Sequence, residues 1–363
     1  MGEPHGIGIV GIGVISGQYF DTLAAHPDVR IVATADLDPA RAAAGAQRIP
    51  GCRSLTVEEL LADPAVDTVL NLTVPAAHAP VALAALRHGK NVYGEKPLAP
   101  TVAPARQILD AAGSAWVGCA PDTALGAGVQ TARAAVDAGE IGRPVAAVAS
   151  WTAPGHEAWH PHPDFYYREG GGPLFDMGPY YLTALFHLLG PVARVSGASS
   201  RSRDVRQIAT GPRAGEEIPV EVDTHVTGIL EHVSGAVSTV TFSFDGVATQ
   251  AAPIEVHGEE ATLALPDPNF FDGEVRLRRP GADNWDSLPV RAGYENAGRG
   301  IGLIDFVRDG GARAHGDIAL HVLEIMTALT DSAREGRRID LMTTATRPPI
   351  VPRTSRADWG AAH

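Results

Sequence analysis

Lys96, between Glu95 and Pro97, is the first residue whose type points to chemistry. Lysine and arginine together number 29, and only Lys90 and Lys96 are lysine. Arginine keeps its proton in a protein, whereas a lysine ammonium is pushed toward neutrality by burial or by its neighbours. A titratable amine therefore follows the run Val92-Tyr93-Gly94 and is pinned by Pro97. The bland alternative is two lysines left by chance on a surface. A second group is Asp176 and Tyr180. At i and i+4 on a helix they share one face, and a carboxylate beside a phenol suits proton transfer. The same spacing also describes an aspartate that caps a helix and a tyrosine that fills a core.

Between these groups lies the densest stretch of side-chain chemistry, Gly155 to Tyr180, with His156, Trp159, His160, His162, Tyr167 and Arg168. Loops this rich in aromatic and charged residues are common where a small polar ligand is gripped, and His160 and Tyr167 are its candidate substrate ligands. The three histidines do not read as a metal site. They sit within seven residues of a proline-interrupted segment without cysteine, and spacing alone does not build a tetrahedron. No metal is expected.

The elements that must position these groups begin at the N-terminus. Ile7–Val10 reads as a buried strand, Gly11-Ile12-Gly13-Val14-Ile15-Ser16 as a glycine turn, and Tyr19, Phe20, Leu23 and Ala24 as a helix face. Gly6-Ile-Gly8-Ile-Val-Gly11 matches the glycine fingerprint literally but lacks a strand before it. In the register from Gly11, Ser16 takes the third glycine slot, where a small residue still permits close packing of helix on strand. Glycines let the backbone approach a pyrophosphate, and the helix N-terminus offers free N–H groups and the positive end of its dipole. A second strand, Val29–Asp36, ends in an acid 20 residues after Ser16. A carboxylate there accepts hydrogen bonds from ribose hydroxyls and repels a 2′-phosphate, so NAD is expected and NADP disfavoured. Asp38 is the better helix cap. Strands and helices keep alternating to residue 119, which implies a parallel sheet covered on both faces. Ligands of such sheets lie beyond the carboxyl ends of the strands, where Gly11–Ser16, Asp36, Thr73–His78, Glu95–Pro97 and Ala120–Thr123 gather. Asp122 is therefore a further candidate substrate ligand. His78 either lines that edge or packs behind it.

Together, Gly11-Ile-Gly13-Val-Ile-Ser16, Thr73-Val-Pro75-Ala-Ala-His78 and Glu95-Lys96-Pro97 resemble the glucose-fructose oxidoreductase / inositol dehydrogenase / MocA family. The resemblance covers the whole chain and is strongest before residue 190. It implies a cofactor site of Gly11, Gly13, Val14, Ile15, Ser16, Asp36, Thr73, Pro75, His78, Glu95 and Lys96. It also implies that Lys96 stands beside the nicotinamide and the substrate hydroxyl, and that Asp176 and Tyr180 are catalytic. Where the inositol dehydrogenase branch has histidine four residues after the aspartate, this chain has Tyr180, as in the glucose-fructose oxidoreductase branch. The open sheet faces of such proteins commonly mediate dimers.

After residue 190 the pattern turns to strands, Val192–Ser202, Thr224–His232, Gly235–Phe244, Ile254–Gly258, Glu260–Leu265 and Glu274–Arg279, and then to helices at Arg299–Asp309 and Asp317–Gly336. The expected organisation is a Rossmann doubly wound α/β domain at 1–123, an α+β domain with an open, largely antiparallel sheet at 124–345, and an extended tail at 346–363. A net charge of −13 with dispersed arginines argues against nucleic acid and anionic membranes. No apolar run is long enough to span a bilayer. Cys52 and Cys119 are too few for a disulfide framework, which with the absence of a leader-like N-terminus suggests a cytoplasmic protein. The expected activity is hydride transfer between nicotinamide and a sugar, polyol or related hydroxyl/carbonyl pair. Tyr180 exchanges the proton, with the Lys96 cation favouring the phenolate. Lys96 and Tyr180 both titrate near ~10 in water, so these two roles are interchangeable from sequence alone. Asp176 orients substrate or balances Lys96. A glycoside-cleaving enzyme that oxidises its sugar transiently and a non-catalytic dinucleotide sensor are the rival classes. A homodimer or homotetramer is expected.

Overall fold

The computed structural model describes residues 3–361. The chain forms two compact units, one built from residues up to Gln130 with Val290–Leu320 and the segment from Pro348, the other from Thr131–Pro289 and His321–Arg347.

The first unit alternates strand and helix: β1 (His5–Val10), α1 (Ser16–Leu23), β2 (Val29–Ala35), α2 (Pro39–Gln47), β3 (Arg53–Ser54), α3 (Val57–Ala62), β4 (Thr68–Asn71), α4 (Pro75–Arg87), β5 (Asn91–Gly94), α5 (Val102–Ala111) and β6 (Val117–Cys119). The strands pair in parallel in the order β3-β2-β1-β4-β5-β6, the doubly wound arrangement. Their side chains are buried almost throughout, because helices cover both faces of such a sheet. Local signals set the helix starts. Asp38 caps α2, accepting from the Ala40 N–H at 2.9 Å, and Thr56 and Glu59 form a capping box on α3. β1 takes in Gly6 and Gly8, so the turn begins at Gly11, the register that context favours.

The chain continues through α6 (Ala127–Asp137), β7 (Pro144–Thr152), α7 (Gly172–Leu189), β8 (Val192–Ser200), β9 (Val205–Gln207), β10 (Glu217–Pro219), β11 (His225–His232), β12 (Val237–Ser243), β13 (Ile254–Gly258), β14 (Thr262–Leu265), β15 (Arg276–Arg278) and β16 (Asp286–Ser287). It ends with α8 (Ile301–Asp309), α9 (Gly316–Glu335), β17 (Ile339–Asp340) and α10 (Arg356–Trp359). The second unit holds a nine-stranded sheet, order β16-β15-β14-β13-β7-β12-β11-β8-β17. Its pairs are antiparallel except β7–β12. Helix α7 packs on β7, β11 and β12, and Tyr181 meets Phe242 edge to face at 5.7 Å. The opposite face is open and carries Val148, Ile229 and Val237, each more than 40% exposed; Val148 and Ile229 both register on Thr239.

This grouping departs from three contiguous stretches. Residues 290–320 and the expected tail belong with the first unit, because backbone bonds hold them there. The Tyr294 N–H donates to the Leu125 carbonyl at 3.0 Å and the Gly293 N–H to that of Val351 at 3.0 Å. The Val351 N–H donates to Gln130 Oε1 at 3.0 Å. The end is not a wholly extended strap either. Ser355 and Asp358 cap α10 reciprocally, and Trp359 is buried, its carbonyl 2.6 Å from His26 Nε2. Among the described residues no helix is long and apolar enough to cross a membrane.

Candidate active site

In the first unit the candidate cofactor residues gather at the carboxyl ends of the strands. Gly11 turns with φ +96°, and a Cβ there would lie 2.7 Å from the Leu72 carbonyl and the Thr73 nitrogen, so only glycine fits between β1 and the loop after β4. The Asp36 carboxylate ties the turn to the end of β2, accepting from the Ile12 N–H at 2.7 Å and the Asp38 N–H at 2.9 Å. A Cβ at Gly13 would meet nothing within 4 Å. Ser16 is buried and donates to the Gly13 carbonyl at 2.7 Å. No side chain caps α1 or α4, which begin at Ser16 and Pro75 at the sheet edge. Around them Val14 and Leu37 are fully exposed and Val74 largely so.

Behind this edge a polar lattice fixes the loops after β4 and β5. Asn71 accepts from the Thr73 hydroxyl at 2.6 Å and donates to the His78 carbonyl at 3.0 Å. The buried His78 ring puts Nδ1 2.6 Å from the Pro97 carbonyl and Nε2 3.0 Å from that of Thr73. His78 therefore clasps the two loops together from behind. Glu95, also buried, accepts from the Tyr19 hydroxyl at 2.7 Å and from the Lys96 N–H at 3.0 Å. Burial first, then Glu95, raises the Tyr19 phenol well above its ordinary range. Lys96 thus leaves a backbone held on both sides, by Glu95 and by the Pro97 carbonyl, and its own side chain is half-buried. The nearby Cys119 thiol is inert, pushed up by burial despite the Lys96 cation.

Asp122 must be reassigned. It is fully buried, and its Oδ2 accepts from the N–H groups of Gly300 at 2.7 Å and Gly302 at 3.1 Å. The carboxylate serves the N-terminus of α8, where a negative charge answers the helix dipole. Burial raises its carboxyl despite those donors and Arg299. Its carboxylate is thus committed to the α8 N-terminus rather than presented at the sheet edge.

In the second unit Asp176 and Tyr180 stand one turn apart on α7. That helix starts four residues earlier than the sequence suggests, at Gly172, since Pro173 is tolerated in a first turn. Gly171 is the N-cap, so Asp176 does not cap the helix. Its Oδ2 lies 2.8 Å from His156 Nε2, and the Trp159 indole donates to His156 Nδ1 at 3.1 Å. Tyr180 is buried at 7% exposure.

Tyr167 also needs correction. It is wholly buried, donates to Glu157 and lies under the Arg206 guanidinium at 5.2 Å. Arg206 in turn bonds Glu157 at 2.7 Å and pairs with Asp245. With Ile208, Ile218, Val220 and Phe244 the ring forms a satellite core beneath the loop, which accounts for much of the aromatic density seen in the sequence. His160 stays partly exposed. It accepts from the His162 N–H at 3.0 Å, and partial burial, then His156 and His162, lower its pKa. Among the described residues no cluster of three or more metal-ligating side chains forms.

Comparison with known proteins agrees with this geometry. Residues 5–121 match the oxidoreductase family with an NAD-binding Rossmann fold, and residues 129–264 match the GFO/IDH/MocA C-terminal domain. Over 270 residues the chain is 30% identical to dTDP-3,4-didehydro-2,6-dideoxy-alpha-D-glucose 3-reductase of Streptomyces antibioticus, covering 70% of this chain and 81% of that protein. The chain belongs to the GFO/IDH/MocA oxidoreductase family. It is similarly 30% identical over 263 residues to 1,5-anhydro-D-fructose reductase of Ensifer adhaerens, covering 70% of this chain and 74% of that one. The fold is shared with levoglucosan dehydrogenase in complex with NADH and L-sorbose (TM-score 0.78, 20% identity, 93% and 99% of the two chains). It is also shared with an NAD binding oxidoreductase from Klebsiella pneumoniae (TM-score 0.81, 23% identity, 94% and 100%).

The first unit of this family member fits the dinucleotide that its family binds. The Gly13 face is open, two helix N-termini lack side-chain caps, and exposed apolar residues flank an acid at the end of β2. Sequence reasoning missed Asn71, Tyr19 and His156. Asn71 carried a usable signal, a polar residue ending an otherwise apolar strand, as Asp36 does. Tyr19 looked like a core aromatic, and His156 stood among histidines judged only as metal ligands.

Proposed function

We propose that this oxidoreductase is an NAD-dependent dehydrogenase or reductase of a sugar, polyol or related hydroxyl/carbonyl pair. The observation that carries the reading is Lys96, a rare titratable cation on a backbone braced by Glu95 and His78, at the carboxyl edge of an NAD-type sheet. Gly11–Ser16, Thr73 and Pro75 would hold the pyrophosphate side of the cofactor, and Asp36 its ribose. When bound, the nicotinamide supplies hydride transfer.

The proton is left to this chain's own side chains. Tyr180 is the proposed proton donor and acceptor at the substrate oxygen. Lys96 is the cation that favours its phenolate and hydrogen-bonds the same oxygen. Asp176 orients the substrate or balances the Lys96 charge. His160, part-exposed on the loop that also carries His156 and Trp159, is a further candidate substrate ligand. The tyrosine supports reading the chain as one of the glucose-fructose oxidoreductase branch. Asp36 favours NAD over NADP, because a 2′-phosphate would meet a carboxylate. Relatives named as sugar reductases and as inositol 2-dehydrogenase support net redox turnover over transient oxidation or mere sensing.

The open sheet face, with Val148, Ile229 and Val237 exposed among polar neighbours, supports assembly as a homodimer or homotetramer. Two free cysteines, one of them buried, are compatible with the cytoplasm as its location. The test is a panel of 1,5-anhydro-D-fructose, levoglucosan, L-sorbose and inositol with NAD, NADP and their reduced forms, followed at the nicotinamide absorbance. Turnover with NAD or NADH and at least one of these compounds is expected. Absence of turnover throughout, from protein that binds NAD, would overturn the reading.

A further inference from the structure

Asp176 has a partner whose protonation the geometry decides. An indole nitrogen only donates, so His156 Nδ1, 3.1 Å from Trp159 Nε1, must present a lone pair. A neutral imidazole then carries its single proton on Nε2, which is the atom 2.8 Å from Asp176 Oδ2. The ring is 6% exposed. Tyr166 packs on it at 4.3 Å, Phe244 at 4.7 Å and Trp151 at 5.9 Å. These rings pack around its plane. A second proton on His156 would set two donors against each other at Nδ1.

We infer that His156 is a positioning residue for Asp176, a neutral imidazole locked by Trp159 as the Nε2–H tautomer and donating to the carboxylate. The donor fixes the plane of the carboxylate, so its remaining lone pairs keep one direction on α7. Trp159 itself is 58% exposed, so the chain of donors runs from the surface of the loop through a buried ring to the helix. The use made of Asp176 rests on the function proposed above; the tautomer does not.

The tautomer is read first, on resting protein without sugar, by long-range proton–nitrogen correlation of histidine-labelled enzyme. The His156 signals are assigned by their loss in His156→Gln. A single Nε2–H form is expected, with the Nδ1 signal displaced in Trp159→Phe. An Nδ1–H form, or no displacement, would overturn the inference. Turnover of the fastest panel sugar is read next. His156→Phe keeps a flat ring but no donor, and kcat should fall roughly 10- to 100-fold. His156→Gln, whose amide nitrogen sits near the old Nε2, should recover most of that loss at similar thermal stability. Equal losses in both variants, or a shift in unfolding temperature without a kinetic one, would mean a merely structural role. Normal turnover in Asp176→Asn would remove the premise of positioning whatever the tautomer, and would count against the proposed site separately.

Discussion

Acidification should loosen the second unit well before its surface carboxylates titrate. His187, His232 and His321 are all nearly inaccessible. Burial, reinforced by Arg133 and Arg347, pushes His187 down to about 3. Burial likewise pushes His232 and His321 down to about 4 each. His321 is locked as a neutral ring by its backbone partner. His321 Nε2 accepts from the Val192 N–H at 3.0 Å, and its Nδ1 faces the Thr343 hydroxyl at 2.9 Å, whose own proton goes to Glu324. His232 lies 3.0 Å from the Gly190 carbonyl and 2.8 Å from the Ser238 hydroxyl. Unfolded, each imidazole titrates near ~6.5. Because the folded values are depressed, the stability these rings contribute is complete above ~6.5 and is lost as pH falls from there toward the folded values. At pH 5 each ring withholds about 2 kcal/mol, and the three together roughly 6 kcal/mol, comparable to the whole stability of many domains. Asp267, raised by burial, works in the opposite direction but is one group against three. Urea unfolding at pH 7 and pH 5 at constant ionic strength, followed by tryptophan fluorescence, should show the midpoint falling steeply. His321→Gln, which can still accept from Val192, should remove about a third of that slope. A midpoint that stays level between the two pH values, or an unchanged slope in His321→Gln, would refute the reasoning.

Three further outcomes are expected. Lys96→Met should leave NAD binding, measured by fluorescence titration, near normal and remove most turnover; a near-normal rate would sink the assignment of Lys96. Asp36→Ala removes an acceptor for two backbone N–H groups and the charge opposed to a 2′-phosphate. Its NAD affinity should fall by about 10- to 100-fold relative to NADP, given about 1.5–3 kcal/mol per hydrogen bond to a charged group, and an unchanged ratio would dismiss the ribose role. Asp122→Ala should lower unfolding stability by about 2–5 kcal/mol, since two buried N–H groups lose their acceptor. KM for the sugar should not change, and a KM effect without a stability effect would return Asp122 to the substrate site.

Much of the first unit was legible because its signals are local. The glycine turn, the acid ending β2 and the Glu-Lys-Pro step are contiguous, and helix caps at Asp38 and Thr56 are short-range hydrogen bonds. Residues 290–320 and the C-terminal segment group differently from the sequence expectation because nothing in their composition announces the Leu125 and Val351 backbone bonds and the Gln130 side-chain bond that hold them. Asp122 and Tyr167 failed for a shared reason. A polar side chain at a sheet edge or in an aromatic loop looks alike whether it faces a ligand or a buried partner far away in sequence. Gly300 lies 178 residues from Asp122, and Arg206 lies 49 residues from Glu157.

The amino-acid sequence by itself determined the type of most elements, the glycine register and the family, and it singled out Lys96, Asp176 and Tyr180 as the residues proposed to move protons. Periodicity, turn chemistry and residue type are properties of neighbours along the chain. Tertiary structure decided which of the polar residues are already engaged. It buried Asp122 under α8 and Tyr167 against Glu157. It set His78 behind the cofactor edge and gave Asp176 the imidazole of His156. Burial and hydrogen-bond geometry depend on what long-range packing brings within 3 Å of a side chain, and no spacing in the sequence records that distance.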